Sequence, residues 1–138
     1  MQDFELNVGS GKLSSDSYQG NYAETVKGSQ FSTSIDISLD SLWNNDLAEI
    51  DLQVELFYKN IRQSDGKAML ILAIDKSGEN VWLSFPLNGK NLTDEWKYAS
   101  LSKTLYRSAH KQGLIKAYVW NNGSEVVHID DFKLRLTK

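Results

Sequence analysis

Three stretches of this chain alternate apolar and polar residues with a period of two, and that pattern limits the fold more than any other feature. Phe31 to Leu39 (FSTSIDISL) places Phe31, Thr33, Ile35, Ile37 and Leu39 on one side. Ile50 to Tyr58 sets Ile50, Leu52, Val54, Leu56 and Tyr58 against Asp51, Gln53 and Glu55. Val81 to Leu87 sets Val81, Leu83, Phe85 and Leu87 against Trp82 and Ser84. Successive strand side chains point to opposite faces, so each run reads as a half-buried antiparallel strand. Ala68 to Ile74 (AMLILAI) is apolar in both phases and predicts a central strand covered on both sides. Pro86 belongs near a strand end, where no ladder donor is needed.

Further strands are expected at Phe4-Glu5-Leu6 and Tyr22 to Val26, around a long Gly- and Ser-rich loop, and from Trp96 to about Leu105. Turn signals separate the runs: Arg62 to Lys67 with its Asp-Gly, Asp75 to Gly78, and Asn88 to Asn91. Ser41 to Asp46 reads as a loop with one helical turn. The sum is about nine strands with almost no helical periodicity, which argues for an all-β antiparallel sandwich or barrel. The 138 residues carry no repeat, low-complexity tract or linker, so 1–138 reads as one domain. A chain of that length buries roughly two-thirds of its unfolded surface without disulfides.

The stretch Leu114 to Leu136 (LIKAYVWNNGSEVVHIDDFKLRL) carries the most detail. Two strand-like runs flank Asn121-Asn122-Gly123-Ser124, and Asn-Gly between such runs is a strong hairpin signal. The second run holds Asp130-Asp131 inside apolar surroundings, where a carboxylate needs a specific partner. Its phase also breaks there: Val127 and Ile129 share one parity, and Phe132, Leu134 and Leu136 the other. If all five face the core, one extra residue must be absorbed at 130–131, as in a β-bulge. The pair then serves either a metal ion or nearby turn amides, and both readings stand.

Composition excludes several functions. A net charge of −3 and a pI near 5.3 do not suit nucleic acid, which requires clustered cations to neutralise phosphate. Without cysteine there is no disulfide, thiolate metal site or Cys nucleophile. No apolar run approaches the roughly 18–20 residues of a membrane span, so no membrane insertion is expected. The N-terminus shows no basic segment followed by an apolar one, hence no visible signal peptide. His110 and His128 have no elbow motif or thiol partner, and Asp130-Asp131 are neighbours on one strand rather than carboxylates across a cleft. The chain therefore reads as not an enzyme, and zinc is not expected. The sequons at Asn91 and Asn122 are taken as chance.

The order of several short elements resembles the carbohydrate-binding-module-like jelly rolls of the galactose-binding-domain-like group, largely bacterial. These elements are Asp3-Phe4-Glu5, Phe31-Ser32, Trp82-Leu83-Ser84, Trp96, and Tyr118-Val119-Trp120-Asn121 followed by Val127 to Leu134. The resemblance spans nearly the whole chain and implies jelly-roll topology, a core position for Trp96, and an extracellular, periplasmic or cell-surface location. It also implies a structural calcium tying the first strand region to the last. The matching positions are Glu5, Asp130 and Asp131, with backbone carbonyls near Gly20.

Sugar binding needs exposed rings for the apolar sugar faces and a few polar groups for the hydroxyls. Trp82 is out of phase with the inward residues of its run, and Tyr118 and Trp120 with Ile115, Ala117 and Val119; Trp43 lies in a polar loop. These four are the expected carbohydrate contacts. The reading is a non-catalytic module for a polysaccharide or glycan, part of a larger exported bacterial protein. A structural or protein–protein β-sandwich without a sugar site is the alternative.

Overall fold

The computed structural model describes residues 3–7, 13–14, 23–27, 30–32, 34–43, 48–60, 68–75, 80–87, 96–123 and 126–137. Among them are eleven strands and one 3₁₀ turn. In chain order these are β1 (Asp3–Asn7), β2 (Leu13–Ser14), β3 (Ala23–Val26), β4 (Gln30–Phe31), β5 (Ile35–Ser38), β6 (Glu49–Asn60), β7 (Ala68–Asp75), β8 (Val81–Pro86), β9 (Lys97–Tyr106), β10 (Leu114–Asn121) and β11 (Val127–Thr137). The 3₁₀ turn, Leu39–Ser41, follows β5. Two strands, β2 and β4, are only two residues long; the other nine match the expected number.

The strands form two antiparallel sheets, a jelly-roll sandwich. One runs β2-β3-β11-β6-β9 with β1 also on β11; the other runs β4-β10-β7-β8 with β5 also on β10. The alternating runs explain the layers. Ile50, Leu52, Val54, Leu56 and Tyr58 of β6 meet Leu70, Leu72 and Ile74 of β7 and Ile115, Ala117 and Val119 of β10 in one buried core. Each fully buried Leu, Ile or Val contributes roughly 1.5–3 kcal/mol relative to exposure. Val81, Leu83 and Phe85 of β8 pack against this core while Trp82, Ser84 and Pro86 face out, and Pro86 ends its strand as expected.

The bulge expected at 130–131 is present. Asp130 pairs with Phe57 and Lys133 with Glu55, so three steps on β11 match two on β6. Asp131 takes up the extra residue at φ 51°, and its N–H donates to Asp130 Oδ1 at 2.7 Å. Val127, Ile129, Phe132, Leu134 and Leu136 are all buried as a result.

Three expectations need correction. The stretch 114–136 is not a hairpin: β10 and β11 lie in different sheets. One edge of β10 is occupied by β7 and the other by β4 and β5, so β11 has no edge to join. Asn121 serves the crossing instead. Its buried side chain donates to the Val26 carbonyl of the other sheet at 3.1 Å and accepts the Gly123 N–H at 3.1 Å. Phe31 does not face the core but is 59% exposed. Trp96 stands just ahead of β9, half-buried and outside the core cluster. The turns expected at 62–67 and 88–91, Lys76 to Gly78, Thr33 and the Asn91 sequon lie outside the described residues.

Candidate functional site

The outer face of the β4-β10-β7-β8 sheet gathers four of the eight described aromatic residues left out of the core, Phe31, Trp82, Tyr118 and Trp120. Strand pairing arranges that face in rows running across the strands. Pro86, Met69, Trp120 and Phe31 form one row; Ser84, Ile71 and Tyr118 the next; Trp82, Ala73, Lys116 and Asp36 the third. The three residues of β10 involved, Lys116, Tyr118 and Trp120, share a face because they are two apart, opposite to buried Ile115, Ala117 and Val119. Ile71 is fully buried although it points away from the core, with Tyr118 and Ser84 as its cross-strand neighbours.

Phe31 reaches this face through a second irregularity. Trp120 pairs with Phe31 and Ala117 with Ile35, so three steps on β10 match four on the other side. The added residue falls within 32–34 and inverts the phase between Phe31 and Ile35. Ser32 holds the ladder there: its N–H donates to the Val119 carbonyl at 2.8 Å, and its buried hydroxyl accepts the Val119 N–H at 2.8 Å. Phe31 then stacks on Trp120, with centroids 5.8 Å apart and planes at 11°, and meets Tyr118 edge-on at 5.8 Å. Trp82 stands on the far edge strand, 53% exposed.

Between these rings lies a groove of about 330 Å³. Phe31, Tyr118 and Trp82 line it, together with Ala73 and the polar residues Ser32, Ser34, Asp36, Asp75 and Lys116. Lys116 Nζ lies 3.7 Å from Asp75 Oδ2, and Ser34 Oγ donates to Asp36 Oδ1 at 2.7 Å. Ring faces beside hydroxyl-binding groups can hold a molecule with both apolar and hydroxylated surfaces, as sugars have. Phe31 was missed from the sequence because its phase matched Ile35. Lys116 could have been found, since it shares parity with Tyr118 and Trp120.

Of the four expected sugar contacts, Trp82, Tyr118 and Trp120 come together on this face, and Trp43 does not. Trp43 is half-buried against the core, and its indole N–H donates to the His110 carbonyl at 2.9 Å. It borders a separate cavity of about 560 Å³ at the end of the sandwich, with Asp40, Arg107, Ser108 and Lys111. Trp43 is held instead against the turn between β9 and β10.

On the other sheet's outer face, buried Glu55 draws in Arg135 at 3.1 Å and Lys133 at 3.6 Å and accepts the Tyr98 hydroxyl. Partial burial, and then the Glu55 carboxylate by hydrogen bond and charge, raises the Tyr98 phenol above its ordinary 10.0. Phe57 packs on Tyr98 with centroids 5.4 Å apart. This cluster joins β6, β9 and β11.

Of the expected calcium ligands, Asp130 and Asp131 are described with their side chains and Glu5 by its backbone alone. Asp130 and Asp131 sit at the bulge, half-buried, with Asp131 Oδ2 3.6 Å from Lys133 Nζ. Glu5 pairs instead with Arg135, four positions along β11 from Asp131 (131 to 135), roughly 13 Å at strand rise. Among the described residues no group of three or more His, Cys, Asp or Glu gathers. In donor type the pair fits calcium, and the Glu5 side chain lies outside the described residues.

Comparison with solved structures gives the same fold. The chain superposes on a family 16 carbohydrate-binding module at TM-score 0.53, with 12% identity over 89% of this chain and 84% of the other. It superposes on the family 35 module of Abf62 from Cellvibrio japonicus at 0.52, with 14% identity over 99% and 94%. It also matches part of latent PorU from Porphyromonas gingivalis at 0.57, with 14% identity over 98% of this chain but 12% of that one. No family model matches the sequence, and no curated protein does.

Proposed function

We propose that this carbohydrate-binding-module-like sandwich binds a glycan, without catalysis, on the outer aromatic face of its β4-β10-β7-β8 sheet. The observation that carries the reading is the convergence of Phe31, Tyr118 and Trp82 around one groove with polar groups along it, with Trp120 stacked on Phe31 beside it. Stacking needs rings at the surface, and two of these rings are more than half exposed. The similarity to sugar-binding modules supports the same reading by analogy of fold.

Glycan arrays followed by affinity electrophoresis in soluble polysaccharide test it. Trp82→Ala and Tyr118→Ala should each abolish most of the retardation while leaving the melting temperature within about 3 °C, since neither belongs to the core cluster. Binding without release of reducing ends supports the non-catalytic part. If no polysaccharide retards the protein, the sugar reading fails. A structural or docking sandwich then takes its place, a role supported by the match to a small part of the much longer PorU chain.

Placement within a larger exported bacterial protein is supported by the neighbours from bacteria and by that same match, and cell fractionation with an antibody tests it. A structural calcium at the bulge would draw on Asp130 and Asp131 and displace Lys133 from the latter. A rise of several degrees in melting temperature on adding Ca²⁺ to EDTA-treated protein supports it, and no rise removes it.

A further inference from the structure

We infer that the groove takes an uncharged glycan chain lying across the strands, and that the row Asp36–Lys116–Asp75 turns acidic chains away; this rests on the glycan reading above. The groove follows the row Trp82–Ala73–Lys116–Asp36, one residue from each of four adjacent strands. Three strand spacings separate its ends, roughly 14 Å. Ala73 offers only a methyl group, so the floor dips between Trp82 and Lys116. Tyr118 and Phe31 border one long side, and Asp75, two positions beyond Ala73 on the same strand face, borders the other. A ligand in this groove meets the rings of Tyr118 and Phe31 along one edge, Lys116 and Asp36 along the floor, and Asp75 along the opposite edge. A sugar chain, with apolar ring faces and hydroxyl-bearing rims, has that division.

The charges decide which sugar chains fit. Lys116 pairs in register with Asp36 and its ammonium lies 3.7 Å from Asp75, so one cation shares the groove with two carboxylates. Neutral hydroxyls suit this row, because they can donate to a carboxylate and accept from the ammonium in charge-assisted bonds. A carboxylate or sulfate on the ligand finds the ammonium already neutralised and meets two like charges. Discrimination through such repulsion is a common source of specificity. The side chains of Lys116 and Asp75 are 40% and 49% exposed, so the effect is moderate and salt-sensitive.

The test uses cello- and β-1,4-galacto-oligosaccharides, each beside its C6-oxidised, carboxylate-bearing form of equal length, titrated calorimetrically. The neutral form should bind at least about fivefold tighter at low ionic strength, with the gap closing at about 0.5 M salt. The double variant Asp36→Asn, Asp75→Asn should shrink the neutral-to-acidic ratio, whatever it does to affinity itself. Acidic chains binding as well as neutral ones, or a ratio unchanged in the double variant, overturns this inference and leaves the glycan reading intact. Amino-sugar chains binding tighter than neutral ones overturn it too, because the row then selects cations. Binding of none of these probes, or of any arrayed glycan, ends both.

Discussion

Asp131 is the position at which the whole last strand depends on one residue's backbone. Its φ of 51° lies in the left-handed region, which costs an ordinary residue roughly 1–2 kcal/mol, costs Asp and Asn less, and suits β-branched residues least. Asp131→Val should therefore add about 1–2 kcal/mol of backbone strain. It also removes the ion pair to Lys133, whose partners are both about one-fifth exposed, worth about 0.5–1 kcal/mol more. The total, about 1.5–3 kcal/mol, corresponds to a fall of roughly 5–12 °C in melting temperature for a domain of this size. Asp131→Gly loses the ion pair but relieves the backbone, and Asp131→Asn keeps the tolerance, so both should stay within about 1 kcal/mol of the parent. Strand slippage offers no escape. Losing the extra residue would turn Phe132, Leu134 and Leu136 to solvent, at roughly 1.5–3 kcal/mol each, comparable with the stability of an entire domain. Urea unfolding in EDTA measures the series. A valine variant as stable as the parent, or a glycine variant as damaged as the valine one, would refute the reasoning.

Three other outcomes follow from single contacts. Tyr98 titrates above its unfolded value of 10.0, so the stabilisation it contributes is complete below pH 10 and lost as pH rises through the folded pKa. In alkaline ultraviolet titration Tyr98→Phe should remove one late-ionising phenol from the curve; an unchanged curve counts against the partial burial and Glu55 contact of Tyr98. Ser32→Ala leaves the Val119 N–H without its buried hydroxyl acceptor and should cost about 1–3 kcal/mol in chemical denaturation, whereas a change within a few tenths would make that bond irrelevant. Trp43→Ala should lower the melting temperature by more than Trp82→Ala while leaving glycan affinity unchanged, because Trp43 packs on the core and holds the 106–110 turn. Loss of retardation in affinity electrophoresis would return Trp43 to the binding face.

The two bulges show what was legible in the sequence and what was not. Both insert one residue, and both decide which side chains face the core. The one in β11 could be read because apolar residues stand on either side of it, out of phase, with an acidic pair marking the break. The one between β4 and β5 could not, since Phe31, Thr33 and Ile35 keep perfect alternation through Ser32 and Ser34. Alternation records only spacing, and there the spacing was overridden by a side chain. The Ser32 hydroxyl and amide both bond to Val119, which re-sets the register before Ile35 resumes it. The Asn-Gly signal failed for a related reason: hairpin propensity is local, whereas the two edges of β10 were already taken by strands distant in sequence. Sheet layers follow from period-two patterns, but the choice of neighbours follows from side chains that bond across the sandwich. The consequence for function is direct. The residue that fastens Phe31 beside Trp120 is a serine with no ring and no charge, so the aromatic face owes its completeness to a position that no search for sugar-binding residue types would select.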